Sequence, residues 1–579
     1  MHHLRETLFG LLVLSGLQET RGAPAQEPLG GTDVAYAAAR PRKIHGRFLH
    51  LTDMHPDPHY REGRSEKSAC HRRKPKKSPR SGTYGYTYGE CDSPLALTNY
   101  TFDYLDKEWA SDIDFVIWTG DSARHDNDRK IPRTLKEIYA LNRAMAQRME
   151  EVFTSRGIPV IPSIGNNDVW LQNIMMPGPN DVTAEFSSIW KSFVPFHSYQ
   201  VFQRGGYYSV EVIPGALAVI SLNTMYLFDS NKAVGGCEPK SPQDPGNLQL
   251  DWLEVQLKTF RSRNMQVWIS GHVPPSARNF HSQCHIRYVE LSLRYQDTIL
   301  GHLFGHMNVD HFFFLDAREI ANNRTAEVND AVNTLGGHKD LYQTLLKTFD
   351  HFAVPEGKLD YDGLAVANVA PSVVPNPYLP SFRIFSYNIS GSRYTAGALG
   401  DTSGSGERDG PLTHGRHLGD YVDRARLCHE SGTANASWAC MLNAPWHANP
   451  DSPSRTNRLF TPLGFAQYYM PNLTGTAKRP PKWRLEYLTF APRALHPPRP
   501  ATDDDAAAAA FAYPIPLKQL PRTLRDANVT ASKYAPYGMG DLTIPSWAAL
   551  ARRLAKAKKS SKLRQRFRRY MYMGANGEL

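Results

Sequence analysis

Residues 47–395 predict an α/β layered fold. Short apolar, β-rich runs recur along this stretch, helix-period segments lie between them, and several runs end in a glycine or turn followed by a polar side chain. The first run is "RFLHL" at 47–51, and it leads into Asp53 and His55. Residues i and i+2 of a strand share a face, so these two side chains are expected to reach one point. "FVIWTG" at 115–120 leads to Asp121, and "IPVIPSIG" at 158–165 leads to Asn166 and Asn167. "YYSVEV" and "LAVISL" follow as two further strands. "MQVWISG" at 265–271 ends before His272, and "HLFG" ends before His306 and Asn308. "HFFFL", "SFRIFSYN" and "WRLEYLTF" complete the strand reading, while 133–155 and 247–262 have helical periodicity.

Outside that alternation the composition changes. Residues 396–458 are rich in Gly, Ser, Arg and Pro and read as a flexible insertion. Residues 491–533 read as a loose low-complexity segment, and 459–490 between them as a C-terminal extension of the core. The last segment, 534–579, reads as basic and helical, with ten Lys or Arg and no acid between Arg552 and Arg569. At the other end, Arg5 precedes an apolar run over 8–17 and small residues at Gly22, Ala23 and Ala25. That is the layout of a secretory signal peptide or signal anchor over 1–22, followed by a linker over 23–46. The run is shorter than the ~20 residues that span a bilayer.

Entry into the secretory pathway sets the reading of the cysteines. The chain has six, an even number that in an oxidising compartment predicts three disulfides. Six cysteines allow fifteen pairings. The expected set is Cys70–Cys91, Cys237–Cys284 and Cys428–Cys440. N-x-S/T sites at Asn99, Asn323, Asn388, Asn435, Asn472 and Asn528 fit a glycosylated lumenal protein. The compartment expected is the vacuole lumen or its membrane, with secretion as the alternative and membrane attachment through the N-terminal segment. Net charge is +11, which favours polyanionic partners.

The strand-end residues carry the chemistry. Five apolar runs each end on Asp, Asn or His, and such ends gather ligands in open α/β sheets. Mixed nitrogen and oxygen donors with no thiolate suit Mn, Fe, Zn, Co or Mg. The order D-x-H, GD, GN, GH and GH-x-N resembles the calcineurin-like metallophosphoesterases. The stretches "LTDMHPDPHY", "YGECDSPL", "WTGDSARHDND", "IGNNDVW", "SGHVPPS" and "GHMNVDHF" are similar to the acid-sphingomyelinase-like branch, and within it to fungal endopolyphosphatases. The resemblance implies a layered β-sandwich flanked by helices, with insertions and a C-terminal extension, and 47–395 as the catalytic domain. It also implies two divalent metal ions. Asp53 and His55 would bind the first, Asp121 would bridge, and Asn166, His272 and His306 would bind the second. Asn308 falls where most relatives place a last histidine on the first metal.

Asn167 stands where most relatives have a histidine near the leaving group. An amide cannot transfer a proton, so its expected part is a hydrogen bond to phosphate oxygen. His125 matches a histidine of the sphingomyelinase-like branch and is assigned as proton donor. A phosphoanhydride leaves readily, so it tolerates the loss of the other histidine better than an ester does. The implied reaction is endopolyphosphatase hydrolysis of phosphoanhydride bonds within long inorganic polyphosphate. The basic run "CHRRKPKKSPR" would form the rim that binds that polyanion, through Arg72, Arg73, Lys74, Lys76 and Lys77, with Arg124. No specific nucleic acid is expected. The alternatives are a sphingomyelinase-like phosphodiesterase on a lipid or nucleotide, or a weakened polyanion-binding module.

Overall fold

Two six-stranded sheets, packed face to face, build the centre of the protein. The computed structural model describes residues 43–77, 79–321, 341–390, 416–421, 428, 437–498 and 512–574. Residues 1–22, where a signal segment is expected, most of the expected linker, much of 396–458, residues 499–511, Asn323 and Asn435 lie outside the described residues.

The first sheet contains β1 (Arg47–Leu51), β2 (Phe115–Trp118), β3 (Val160–Pro162), β10 (Ser381–Tyr387), β11 (Pro462–Tyr469) and β12 (Arg484–Leu488). The second contains β4 (Tyr208–Ile213), β5 (Leu217–Ser221), β6 (Gln266–Ser270), β7 (Ile299–Phe304), β8 (His311–Asp316) and β9 (Leu364–Val369). Strand order is β12-β11-β10-β1-β2-β3 in one and β8-β9-β7-β6-β5-β4 in the other. The β1–β2–β3 pairs run parallel, as do β5–β6–β7 and β7–β9. The parallel strands that carry the ligands therefore open toward the same end of their sheets. Central strands are buried on both faces, which is why they read as near-continuous apolar runs. Between the sheets, the Phe48 ring of β1 meets Trp268 of β6 edge-on at 5.1 Å, and Ser163 and Ser221 share a hydrogen bond.

Helices cover the sheets. The first, α1 (Leu95–Glu108), follows the Asp92 turn, and α2 (Leu135–Val152) follows the loop that begins at Asp121. Thr134 caps α2 by accepting the Glu137 N–H, a hydrogen bond worth about 1 kcal/mol. The predicted helix at 247–262 spans Pro245–Ser262.

Strands β9 and β11 are absent from the sequence reading. "LAVANV" and "PLGFAQYY" each interrupt their apolar run with Asn, Gly or Gln. Strands β11 and β12 carry the first sheet well past residue 395. The basic C-terminal stretch forms two helices, Ile544–Lys556 and Lys562–Met571. Its charge hides an apolar face: Phe567, Tyr570 and Met571 are buried. The Asp310 N–H donates to the carbonyl of Met571, so this tail packs directly behind the "GHMNVDHF" segment. Asp310 also pairs with the buried Arg383 of β10 and accepts from Tyr487 at 2.6 Å.

All three expected disulfides are present: Cys70–Cys91, Cys237–Cys284 and Cys428–Cys440. Asn99, Asn472 and Asn528 are exposed, and Asn388 is half-buried with its amide bonded to Asn457. Among the described residues no helix is long and apolar enough to cross a membrane.

Candidate metal centre

β1 ends at Leu51, so Asp53 and His55 lie beyond the strand rather than on one of its faces. They converge for a different reason: both adopt left-handed backbone, at φ 49° and 39°. Asp121, His306 and Asn308 do the same, at φ 58°, 70° and 54°. For non-glycine residues such conformations cost of order 1–3 kcal/mol each and cluster where function over-determines the backbone. The turns are tight enough to exclude side chains from two glycines. A Cβ on Gly165 would lie 2.0 Å from Asp121 Oδ1, and one on Gly305 would lie 2.0 Å from Thr52 Oγ1.

These turns bring the ligand-capable groups together. Asp121 Oδ2 lies 3.3 Å from His55 Nε2 and 3.3 Å from His272 Nε2. Asp53 Oδ1 is 3.6 Å from His55 Nε2. On the other side, Asn166 Oδ1 is 2.8 Å from both His272 Nε2 and His306 Nδ1. Asp121 thus sits between an Asp53–His55 group and an Asn166–His272–His306 group. Asp53, His55, Asp121, Asn166, His272 and Asn308 are buried, and His306 is half-buried at the edge of the centre.

Neighbouring groups set the orientation of each donor. The Nδ1–H of His55 donates to the Ala123 carbonyl and that of His272 to the Thr119 carbonyl, both at 2.7 Å, which leaves each Nε2 facing inward. Asn173 accepts the Asn166 amide N–H at 2.8 Å, so the Asn166 oxygen turns to the two imidazoles. Asn308 donates to the Asn376 carbonyl, which leaves its Oδ1 free. Asp168 accepts from the backbone N–H groups of Asp121, Ser122, Ala123 and Gly165 and from Asn142, and so binds the GD turn to the GN turn.

Donor chemistry fits divalent cations. Asp53 Oδ1, His55 Nε2 and Asn308 Oδ1 are buried without a hydrogen-bond partner, a costly state for polar atoms unless a ligand satisfies them. Asp53, His55 and Asp121 offer ligand atoms within 4.8 Å of one another. Burial alone would raise the Asp121 carboxyl, but the charge and hydrogen bond of His272, with His55 alongside, hold it well below the usual carboxylate range. Burial opposes charge on His55 as well, and the Asp121 carboxylate overcomes it to lift the imidazole to about 9.

His125 stacks on His55 with ring centroids 4.0 Å apart. Asp92 holds it twice, accepting the backbone N–H at 2.6 Å and Nδ1–H at 2.7 Å. Burial disfavours charge on Asp92, but His125 more than compensates and brings the carboxyl down to about 2. Nε2 is the ring atom left for substrate.

Three expectations change. Asn167 directs its amide N–H to Asp121 Oδ2 at 2.7 Å, and its backbone N–H to Asp121 Oδ1, so it steadies the shared carboxylate instead of facing phosphate. Arg124 is fully buried, and its guanidinium is spent on Glu137 and on the Ile131 and His125 carbonyls, so it cannot form part of a substrate rim. Arg72 is paired in a fork with Asp128. Arg73, Lys74, Lys76 and Lys77 are exposed. Asp92, Asp168 and Asn173 had no role in the sequence reading. "YGECDSPL" marked Asp92 and "GNND" marked Asp168, while Asn173 had no signal.

The chain belongs to the calcineurin-like phosphoesterases. The family model of that description matches residues 46–310, and donors from five strand ends converge within it as a two-metal hydrolase requires. Within the family the chain is similar to proteins named endopolyphosphatase. That of Cryptococcus neoformans var. neoformans is 39% identical over 90% of each chain. That of Schizosaccharomyces pombe is 31% identical over 89% of this chain and 84% of its own. The Saccharomyces cerevisiae protein is 44% identical over 53% of this chain and 47% of its own.

Proposed function

We propose that the protein is an endopolyphosphatase, a metal-dependent hydrolase that cuts phosphoanhydride bonds inside inorganic polyphosphate. The observation that carries the chemistry is the shared Asp121 carboxylate, 3.3 Å from an imidazole of each half-site. The substrate follows from the relatives' names and from the exposed cations of the 72–80 loop.

Asp53, His55, Asp121 and Asn308 would hold one divalent cation, and Asp121, Asn166, His272 and His306 the other. Two such ions, bound there, would supply Lewis acidity: polarised phosphoryl oxygens and a water whose pKa is low enough to provide hydroxide near neutral pH. The protein's own residues do the rest. His125 supplies a proton at Nε2 to the departing oxygen, and Asp92 keeps the ring in place and stabilises its charged form. Asn167 fixes the orientation of Asp121.

We also assign the protein to the vacuole lumen or its membrane, reached through the secretory pathway. Three disulfides and exposed acceptor asparagines support that compartment. The test of function is digestion of long polyphosphate resolved by chain length, with and without Asp121→Asn. A ladder of intermediate lengths that the substitution abolishes is expected. Substrate left intact with every divalent ion tried would overturn the assignment, and release of monophosphate alone would overturn internal cleavage.

A further inference from the structure

The cationic loop is anchored in a way that gives it a side. Residues 71–80, "HRRKPKKSPR", hold six Lys or Arg and no acid. Two fixtures join its root to the element that carries the proton donor. The Cys70–Cys91 disulfide places the root beside Asp92, the residue that grips both the backbone and the ring of His125. His71 provides the other. Its buried ring lies between two carboxylates, Nε2 at 2.7 Å from Asp57 and Nδ1 at 2.7 Å from Asp128. Both ring nitrogens face acceptors, so the ring is a doubly protonated imidazolium that donates twice. Asp57 lies two residues past His55, and Asp128 three past His125. Arg72 closes the same joint on Asp128. The first two residues of the loop are therefore structural. The cations beyond them, Arg73, Lys74, Lys76, Lys77 and Arg80, are exposed, and among the described residues no acid pairs with them.

In-line displacement puts the attacking water and the departing oxygen on opposite sides of phosphorus. A proton donor must face the departing side. We propose that the loop cations, carried on the His125 side, form the subsite for the departing part of a phosphate chain. This rests on the polyphosphatase reading. In the step, water oxygen joins the attacked phosphorus and sheds a proton to solvent. The bridging P–O bond breaks, and the released fragment takes a proton from His125. The loop holds that released fragment, so its phosphates contribute to binding before the cut and are retained after it.

The test replaces Arg73, Lys74, Lys76, Lys77 and Arg80 together by Gln. All five are exposed, so the fold and metal content should match wild type. For long polyphosphate KM should rise at least about tenfold with kcat within about twofold. The slope of log KM against log salt should flatten by roughly 0.7 for each phosphate that the loop no longer neutralises. Bis(p-nitrophenyl) phosphate, which has no chain to occupy the loop, should be cleaved as before. Sidedness is read with a phosphate chain esterified at one end by a bulky group and cut in 18O-water. Wild type should label mainly the capped fragment, because the bare, more charged fragment departs along the loop; the variant should lose that bias. Unchanged KM for long chains, an equal loss on the small diester, or the same labelling ratio in both proteins would each overturn the proposal. A wild type that leaves long polyphosphate intact would instead overturn the functional reading itself.

Discussion

Replacing Asp92 by Asn isolates the proton donor from the metal centre. The carboxylate accepts two hydrogen bonds from His125, at 2.6 Å from the backbone and 2.7 Å from Nδ1. An amide has one acceptor atom. If its oxygen keeps the backbone N–H, its NH2 group confronts Nδ1, and the ring must carry its proton on Nε2 without an anion to stabilise the imidazolium. A hydrogen bond to a charged group is worth about 1.5–3 kcal/mol, which corresponds to about 10- to 150-fold in rate. The loss should fall on kcat, because neither group holds a cation. It should also grow with the basicity of the departing oxygen, smallest for polyphosphate and larger for an alkyl phosphodiester. The assay compares kcat on both substrates across pH 4–9, with metal content measured in the same preparations. Equal loss on both substrates, or a loss that tracks metal content, would refute the assignment of His125 as proton donor and Asp92 as its positioning residue.

Gly165→Ala should lower metal content and activity together by at least tenfold, because the new Cβ would fall 2.0 Å from Asp121 Oδ1 and the backbone around the shared ligand must move; elemental analysis alongside kcat checks this. Asn308→His places an imidazole where an unpaired amide oxygen now sits and should shift preference toward zinc over manganese, measured by competition between the two ions. Glu486→Gln tests stability against pH. Burial, only partly offset by a hydrogen bond from Gln467, lifts the Glu486 carboxyl to about 8. The folded state then holds a proton that the unfolded chain has lost above about 4.3. Stability from this group is full below that value and declines as pH rises through about 8. Between pH 5 and 7 the decline is of order 2–3 kcal/mol at most, and urea unfolding should show it in wild type and not in the Gln variant, whose side chain stays neutral.

The readable part of the site was the part written locally. A ligand that follows its own strand within four residues leaves a contiguous trace, and all of Asp53, His55, Asp121, Asn166, His272 and His306 leave one, four of them directly after a glycine. The reason they converge was less readable. Period-two alternation predicts a shared strand face for Asp53 and His55, whereas left-handed turns past Leu51 aim them. The same limit hid the role of Asp92, which acts on a proton donor supplied by another segment, and that of Asn173, which reaches Asn166 only because the loop between them folds back; nothing in a run of sequence states the partner. Charge misleads most when counted without its counter-ions. Arg124 and Arg72 look like rim cations in sequence, yet Glu137, at the first turn of a helix capped by Thr134, takes one, and Asp128 takes the other. The basic C-terminus follows the same logic from the opposite direction. A helix with Lys or Arg at half its positions still buries Phe567, Tyr570 and Met571, because those apolar residues share one face at helical spacing. What distinguishes a binding cation from a structural one is the acid that folding brings beside it, and the five cations from Arg73 to Arg80 escape that pairing among the described residues.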